Sequence, residues 1–112
     1  MKKIEAIIRP EKLDSVRHAL EEVGFPGLMI TEIEGHGKQK GITRQWRGKQ
    51  YKVELLPKVR IEVVIKDQDV ERITKAISGA AYTGTIGDGK IFIYPVENAI
   101  RIRTSEKGEM AI

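Results

Sequence analysis

The chain repeats itself. Lys3-Ile4-Glu5-Ala6-Ile7-Ile8-Arg9 has a counterpart in Arg60-Ile61-Glu62-Val63-Val64-Ile65-Lys66, and the register continues without a gap: Leu13 with Val70, Val16 with Ile73, Ala19 with Ala76, Leu20 with Ile77. The first block of each copy is rich in β-branched residues and bounded by polar ones, which predicts a strand. The second carries apolar residues at helical spacing. Pro10 fits just ahead of the first helix, and Gly24 and Gly79 fit as stops for the two helices. A second strand is expected after each helix, at residues 28–34 and 90–96. Strand-helix-strand twice over is the order of an α+β, ferredoxin-like double βαβ sandwich, with two helices covering one face of a four-stranded antiparallel sheet.

Alternation assigns the two faces of that sheet. Ile4, Ala6, Ile8, Ile61, Val63 and Ile65 point to the helices, whereas Glu5, Ile7, Arg9, Glu62, Val64 and Lys66 point away, joined by Phe92 and Tyr94. An outer face this apolar suits burial in a homo-oligomer, where glutamates and basic residues can pair across subunits.

Composition narrows the function. A chain of 112 residues makes one domain, here 1–112, with 40% hydrophobic and 32% charged residues. Without cysteine, thiolate metal sites and disulfides are excluded, and His18 and His36 are too few for a protein-only zinc centre. The N-terminus turns charged too early for a signal peptide, and no apolar run reaches membrane-helix length, so a cytoplasmic protein is expected. The net charge of +4 is concentrated: Lys38, Lys40, Arg44, Arg47, Lys49, Lys52 and Lys58 face a single acid, Glu54. Such a cluster seeks an anionic ligand or an acidic surface.

Two connections exceed what the sandwich needs. Residues 37–56 join the halves with no periodicity of their own, and loops of that length are usually functional or disordered. Residues 80–90 carry Gly84, Gly87 and Gly89. Gly87-Asp88-Gly89-Lys90 can turn sharply and present amide N–H groups to an anion, with Lys90 adding charge. It leads into a strand, so it is neither a P-loop nor a dinucleotide fingerprint, and alone it fits a plain turn equally well. Gly35-His36-Gly37-Lys38 is a second glycine-basic turn, and Arg101-Ile102-Arg103 puts two guanidiniums on one face of an extended segment. Together the three suit a polyphosphate. No nucleophile-base pair accompanies them, which favours a binding module over an enzyme. An RNA-binding ferredoxin-like domain is the alternative that the basic loop suggests, but aromatic residues are only 5% of the chain and no RNP-like run is present.

These residues resemble the PII signal-transduction family over the whole chain. The carriers are Thr83-Gly84-Thr85-Ile86-Gly87-Asp88-Gly89-Lys90-Ile91-Phe92, the opening MKKIEAII, Gln39-Lys40-Gly41, Leu56-Pro57-Lys58-Val59 and Arg101-Ile102-Arg103-Thr104. The resemblance implies a homotrimeric nitrogen sensor that binds ATP or ADP in clefts between subunits, with no redox cofactor. It implies Gly35, Gly37, Lys38, Gly87, Asp88, Gly89 and Lys90 from one subunit, and Met29, Val64, Arg101 and Arg103 from its neighbour. Gln39 would ligate a Mg²⁺ bridging ATP and 2-oxoglutarate. Lys58 would pair with the distal carboxylate of 2-oxoglutarate, and Lys40 and Gly41 would close over that ligand.

The 37–56 segment corresponds to the family's effector loop, and residues 101–112 to its C-terminal segment. Tyr51 stands where some bacterial members are uridylylated, with a partner contact as the competing reading, and Arg47 is the residue expected to enter the partner. The implied partners are an ammonium transporter, which would recruit the protein to the membrane, or other nitrogen-metabolism enzymes or kinases; nucleic acid is not among them. Trp46, Gln50, Met29, Lys38 and His36 depart from the family pattern, and Lys38 in place of arginine keeps charge but loses the bidentate fork.

Overall fold

Strand β1 (Lys2–Ile8) alternates as its sequence requires: Ile4, Ala6 and Ile8 are buried and the residues between them are not. The computed structural model describes residues 1–25, 27–35, 42–46, 49–53 and 56–112, with 34–35, 42–46 and 49–53 described as backbone only. After β1, Pro10–Lys12 form a 3₁₀ turn that leads directly into α1 (Leu13–Glu22); β2 (Met29–Gly35) follows. In the second half β5 (Leu56–Ile65), a 3₁₀ turn at Asp67–Asp69, α2 (Val70–Ala81) and β6 (Gly89–Pro95) repeat the order. The two 3₁₀ turns and the two helix starts keep the offset seen between the repeated blocks.

The sheet runs β2-β5-β1-β6 and is antiparallel throughout, so the repeated strands β1 and β5 are the central pair. Each helix supplies one stripe to the core: Val16 and Leu20 from α1, and Ile73, Ile77 and Ala81 from α2. These meet Ile4, Ala6, Ile8, Val59, Ile61, Val63 and Ile65 in one cluster. Each large aliphatic side chain buried there contributes about 1.5–3 kcal/mol relative to exposure.

Helix α1 ends as expected. Gly24 adopts φ +91, Phe25 N donates to Leu20 O at 2.9 Å and Gly24 N to Glu21 O at 3.0 Å, the paired bonds of a left-handed C-terminal cap. Arg72 of α2 donates to Val23 O at 2.9 Å, satisfying another carbonyl at that end while its guanidinium lies over the Phe25 ring. Gly79 is not a stop. Helix α2 continues to Ala81, because Ala81 extends the Ile73-Ile77 stripe and remains buried.

The segment between the halves also departs from expectation. Instead of lacking regular structure, it contains a hairpin of β3 (Ile42–Trp46) and β4 (Lys49–Val53), with Ile42 opposite Val53 and Trp46 opposite Lys49. Strand β5 already begins at Leu56, before the repeated block.

The helix-free face is laid out in rows by the register. Met29, Glu62, Glu5 and Phe92 share one row; Thr31, Arg60, Ile7 and Lys90 share the next; Val64, Lys3 and Tyr94 share a third. Its charges pair within the chain: Glu62 lies 3.2 Å from both Lys3 Nζ and Arg60 Nε, and Lys3 Nζ stands 4.8 Å above the Tyr94 ring. Tyr94 is pushed up by its hydrogen bond with Glu5. Among the described residues no helix is long and apolar enough to cross a membrane.

Candidate functional site

The glycine-rich connection after α2 is folded around one side chain. Asp88 Oδ2 accepts from Thr83 N at 2.8 Å and Gly84 N at 2.9 Å, while Oδ1 accepts from the Thr83 hydroxyl and from Arg9 Nε at 3.2 Å. The Thr83 and Thr85 hydroxyls are 2.8 Å apart. Asp88 is held well below the usual carboxylate range, chiefly by the Thr83 hydroxyl, then by the Thr83 amide, with the Gly84 amide and Arg9 adding to the effect.

Two side chains, one just past the end of β1 and one on the neighbouring β5, brace this loop. Pro10 favours an extended residue before it, and Arg9 is extended at φ −66, ψ 139. From there its guanidinium also donates through Nη2 to Ile86 O at 2.7 Å and to Thr85 Oγ1 at 3.0 Å. On the other side Lys58 of β5 is buried and donates to Gly87 O at 2.7 Å. Burial pushes the Lys58 ammonium down, and the nearby Arg9 adds to that, with Glu11 and Asp88 opposing. A cationic amine already short of solvent gains more than a hydrated one from an arriving anion.

Glycine is needed where the loop enters β6. Gly87 and Gly89 have φ +104 and +105, and a side chain on Gly89 would collide with the Ile7 carbonyl oxygen. Gly89 is therefore fixed by close passage along β1, whatever else it does. Beside the loop, a cavity of about 270 Å³ opens between the end of α2 and strands β1 and β6, with Ile77, Ala81, Tyr82 and Lys90 among its walls.

The sequence-predicted residues fall into two groups. Gly87, Asp88, Gly89 and Lys90 gather with Lys58 at one end of the sheet, and Gly35 pairs with Leu56, two residues from Lys58. Val64 lies opposite Lys3, whereas Gly89 lies opposite Ile8. Those positions are five residues apart on β1, or about 17 Å at a strand's rise. Met29 is opposite Glu62, in the row between them. The chain leaves the sheet at the Lys3 end, where Val96 N bonds Met1 O, and Arg101 and Arg103 follow. Gly37, Lys38, Gln39, Lys40, Gly41 and Arg47 lie outside the described residues, and Tyr51 is described only as a β4 backbone position opposite Arg44.

The Asp88 carboxylate is engaged by four donors inside its own subunit, so it acts here as the organiser of the loop. Arg9, expected to pair across subunits, is its internal clamp and was missed as a site residue. Among the described residues no cluster of three or more histidines and acids is arranged to hold a metal.

The doubled α+β sandwich sets a braced, glycine-rich loop at one end of its sheet, the frame of a small regulatory protein. The chain belongs to the P-II family: the family model described as "Nitrogen regulatory protein P-II" matches residues 1–106. Over all 112 residues and the full length of each relative, the chain is 61% identical to the nitrogen regulatory protein P-II of Azospirillum brasilense and 60% identical to that of Rhodospirillum rubrum. It is 52% identical to the nitrogen regulatory protein P-II 2 of Methanothermobacter thermautotrophicus, covering all of this chain and 97% of the relative. The family and these relatives are named as nitrogen regulatory proteins, not as enzymes.

Proposed function

We propose that the chain is a homotrimeric sensor that binds ATP or ADP, takes up 2-oxoglutarate when Mg²⁺–ATP is bound, and regulates partner proteins through residues 37–56. The observation that carries this reading is the loop before β6, built in advance by Asp88 and held by Arg9 and Lys58 so that Gly87, Gly89 and Lys90 meet one end of the sheet. Prearranged amides and lysines of this kind suit phosphate, because the ordering is complete before the ligand arrives.

The two separated groups of residues support a site shared between subunits. Val64 stands too far along the chain's own sheet to complete the loop end, but the neighbouring copy in a trimer would bring its Val64, Arg101 and Arg103 to that end. The half-apolar face bearing Ile7, Val64, Met29 and Phe92 is the surface such an assembly would bury.

In this reading Gln39 holds Mg²⁺, which prefers hard oxygen ligands and takes few of them from protein. The commitment of Asp88 to its own loop agrees with that economy. Lys58 pairs with the distal carboxylate of 2-oxoglutarate, and Lys40 and Gly41 close over it. Since Lys58 also bonds Gly87 O, one side chain would touch both the loop and the second ligand, a direct route for coupling.

For the output we propose an ammonium transporter as partner, with Arg47 entering an acidic or polar recess, ADP favouring the complex and 2-oxoglutarate with Mg²⁺–ATP releasing it. Co-sedimentation with transporter-containing membranes in the three ligand states tests this. Binding that changes with ligand and disappears in Arg47→Ala supports the reading; equal binding in every state contradicts it.

A further inference from the structure

The C-terminal segment folds back on itself, so Arg101-Ile102-Arg103 lies in a turn and not in the extended segment expected. Ile100 bridges to Lys107, Arg101 N donates to Glu106 O at 2.9 Å, and Ser105 N donates to Arg101 O at 2.8 Å with Ser105 at φ +62. Inside this hairpin Arg101 Nη1 is 2.7 Å from Glu106 Oε1, and the same oxygen accepts the Thr104 hydroxyl at 2.7 Å. Arg103 is exposed and forms no ion pair among the described residues. The two arginines of the motif are therefore unequal: one guanidinium is already paired with a carboxylate and the other has no such partner among the described residues.

We propose that Glu106 sets the charge selectivity of the nucleotide site: its carboxylate, anchored on Arg101, opposes the approach of phosphate and so limits how steeply affinity rises from AMP to ADP to ATP. This rests on the reading that places Arg101 and Arg103 at the phosphates. A phosphate oxygen bonded to the far side of the Arg101 guanidinium would stand on the order of 6 Å from the Glu106 carboxylate. At effective dielectrics between a protein surface and water, repulsion at that range weakens binding by about three- to tenfold per unit of ligand charge.

A second effect runs the other way. By holding Arg101 in place, Glu106 lowers the cost of ordering it, but a partly exposed ion pair supplies no more than about fivefold. Ordering is the same for every nucleotide, whereas repulsion grows with each added phosphate. The repulsion therefore decides the ratio of affinities, and the ratio separates the two roles.

The test is calorimetry of AMP, ADP and ATP without Mg²⁺ in the full-length protein. Glu106→Gln keeps an oxygen for Arg101 and Thr104 and removes only the charge. We expect its ATP affinity to rise more than its ADP affinity, widening the ATP-to-ADP ratio by about threefold or more. Glu106→Asp should keep the wild-type ratio. Glu106→Ala, which drops the hydrogen bonds too, should widen it even if overall affinity falls. An unchanged ratio in both neutral variants, or a uniform loss across the three nucleotides, overturns the proposal and leaves Glu106 as a positioning residue for Arg101. Failure of the reading beneath it looks different: wild type would bind no nucleotide, or Arg101→Ala would bind as wild type does.

Discussion

Arg9 Nε and Asp88 Oδ1, 79 positions apart in the chain, are 3.2 Å apart in space, and that ion pair ties the loop between α2 and β6 to the end of β1. Replacing Arg9 by Ala removes three bonds, to Asp88, Thr85 and Ile86, from a side chain that is mostly buried. Urea denaturation should show a loss of about 1–3 kcal/mol. Arg9→Lys keeps charge without the planar fork and should fall between. Nucleotide affinity should follow the same order, since the loop would have to be ordered by the ligand; wild-type affinity in Arg9→Ala would show that the clamp is irrelevant to binding.

Asp88 predicts the acid limb of stability. Its folded-state pKa is depressed by Thr83, Gly84 and Arg9, so its contribution is complete above the unfolded carboxylate value of about 3.9 and is lost as pH falls through the lower folded value. Asp67, lowered chiefly by its bond to the N-terminal ammonium, acts in the same direction. Chemical denaturation between pH 7 and pH 2 should therefore show the gap between wild type and Asp88→Asn narrowing below about pH 4. A constant gap over that range would contradict the assignment.

One substitution at two glycines should give opposite signs. Gly89→Ala puts a methyl against the Ile7 carbonyl at φ +105, and only a shift of β1 against β6 relieves it. A loss above about 2 kcal/mol is expected. Gly79 lies within α2 with no atom near the added methyl, so Gly79→Ala should stabilise by about 0.5–1 kcal/mol. Thermal melts of the two variants against wild type make the comparison.

Assembly is the next expectation. Light scattering at micromolar concentration should report three times the 12.6 kDa chain mass, and Arg103→Ala should weaken nucleotide binding without dissolving that species. A stable monomer would remove the shared site.

The sandwich was legible because both of its periods are written in apolar residues: alternation in β1 and β5, and helical spacing in α1 and α2, in two copies that corroborate each other. What escaped was set by closure in space. Gly79 looks like a stop until Ala81 is seen to continue the buried stripe. The β3–β4 hairpin is short and interleaved with charge, so its alternation is masked. Arg9 falls on the outward phase of β1, and nothing local says that the turn at Pro10 carries it to a loop from the other end of the chain. Asp88 sits in a motif that suggests ligand contact, and only the fold reveals its four internal donors. The residues expected to hold Mg²⁺ and 2-oxoglutarate, Gln39, Lys40 and Gly41, lie outside the described residues and rest on sequence alone.

The central claim is that nucleotide identity controls a second ligand, and calorimetric titration of 2-oxoglutarate tests it most directly. Titrations would be run on the protein alone, with ADP, and with Mg²⁺–ATP. Reciprocal coupling predicts strong binding only with Mg²⁺–ATP, little with ADP and none useful without nucleotide. Gln39→Ala should abolish that difference while leaving ATP binding largely intact, and Lys58→Ala should remove 2-oxoglutarate binding in every state. Equal 2-oxoglutarate affinity with ATP, with ADP and with neither would contradict the account.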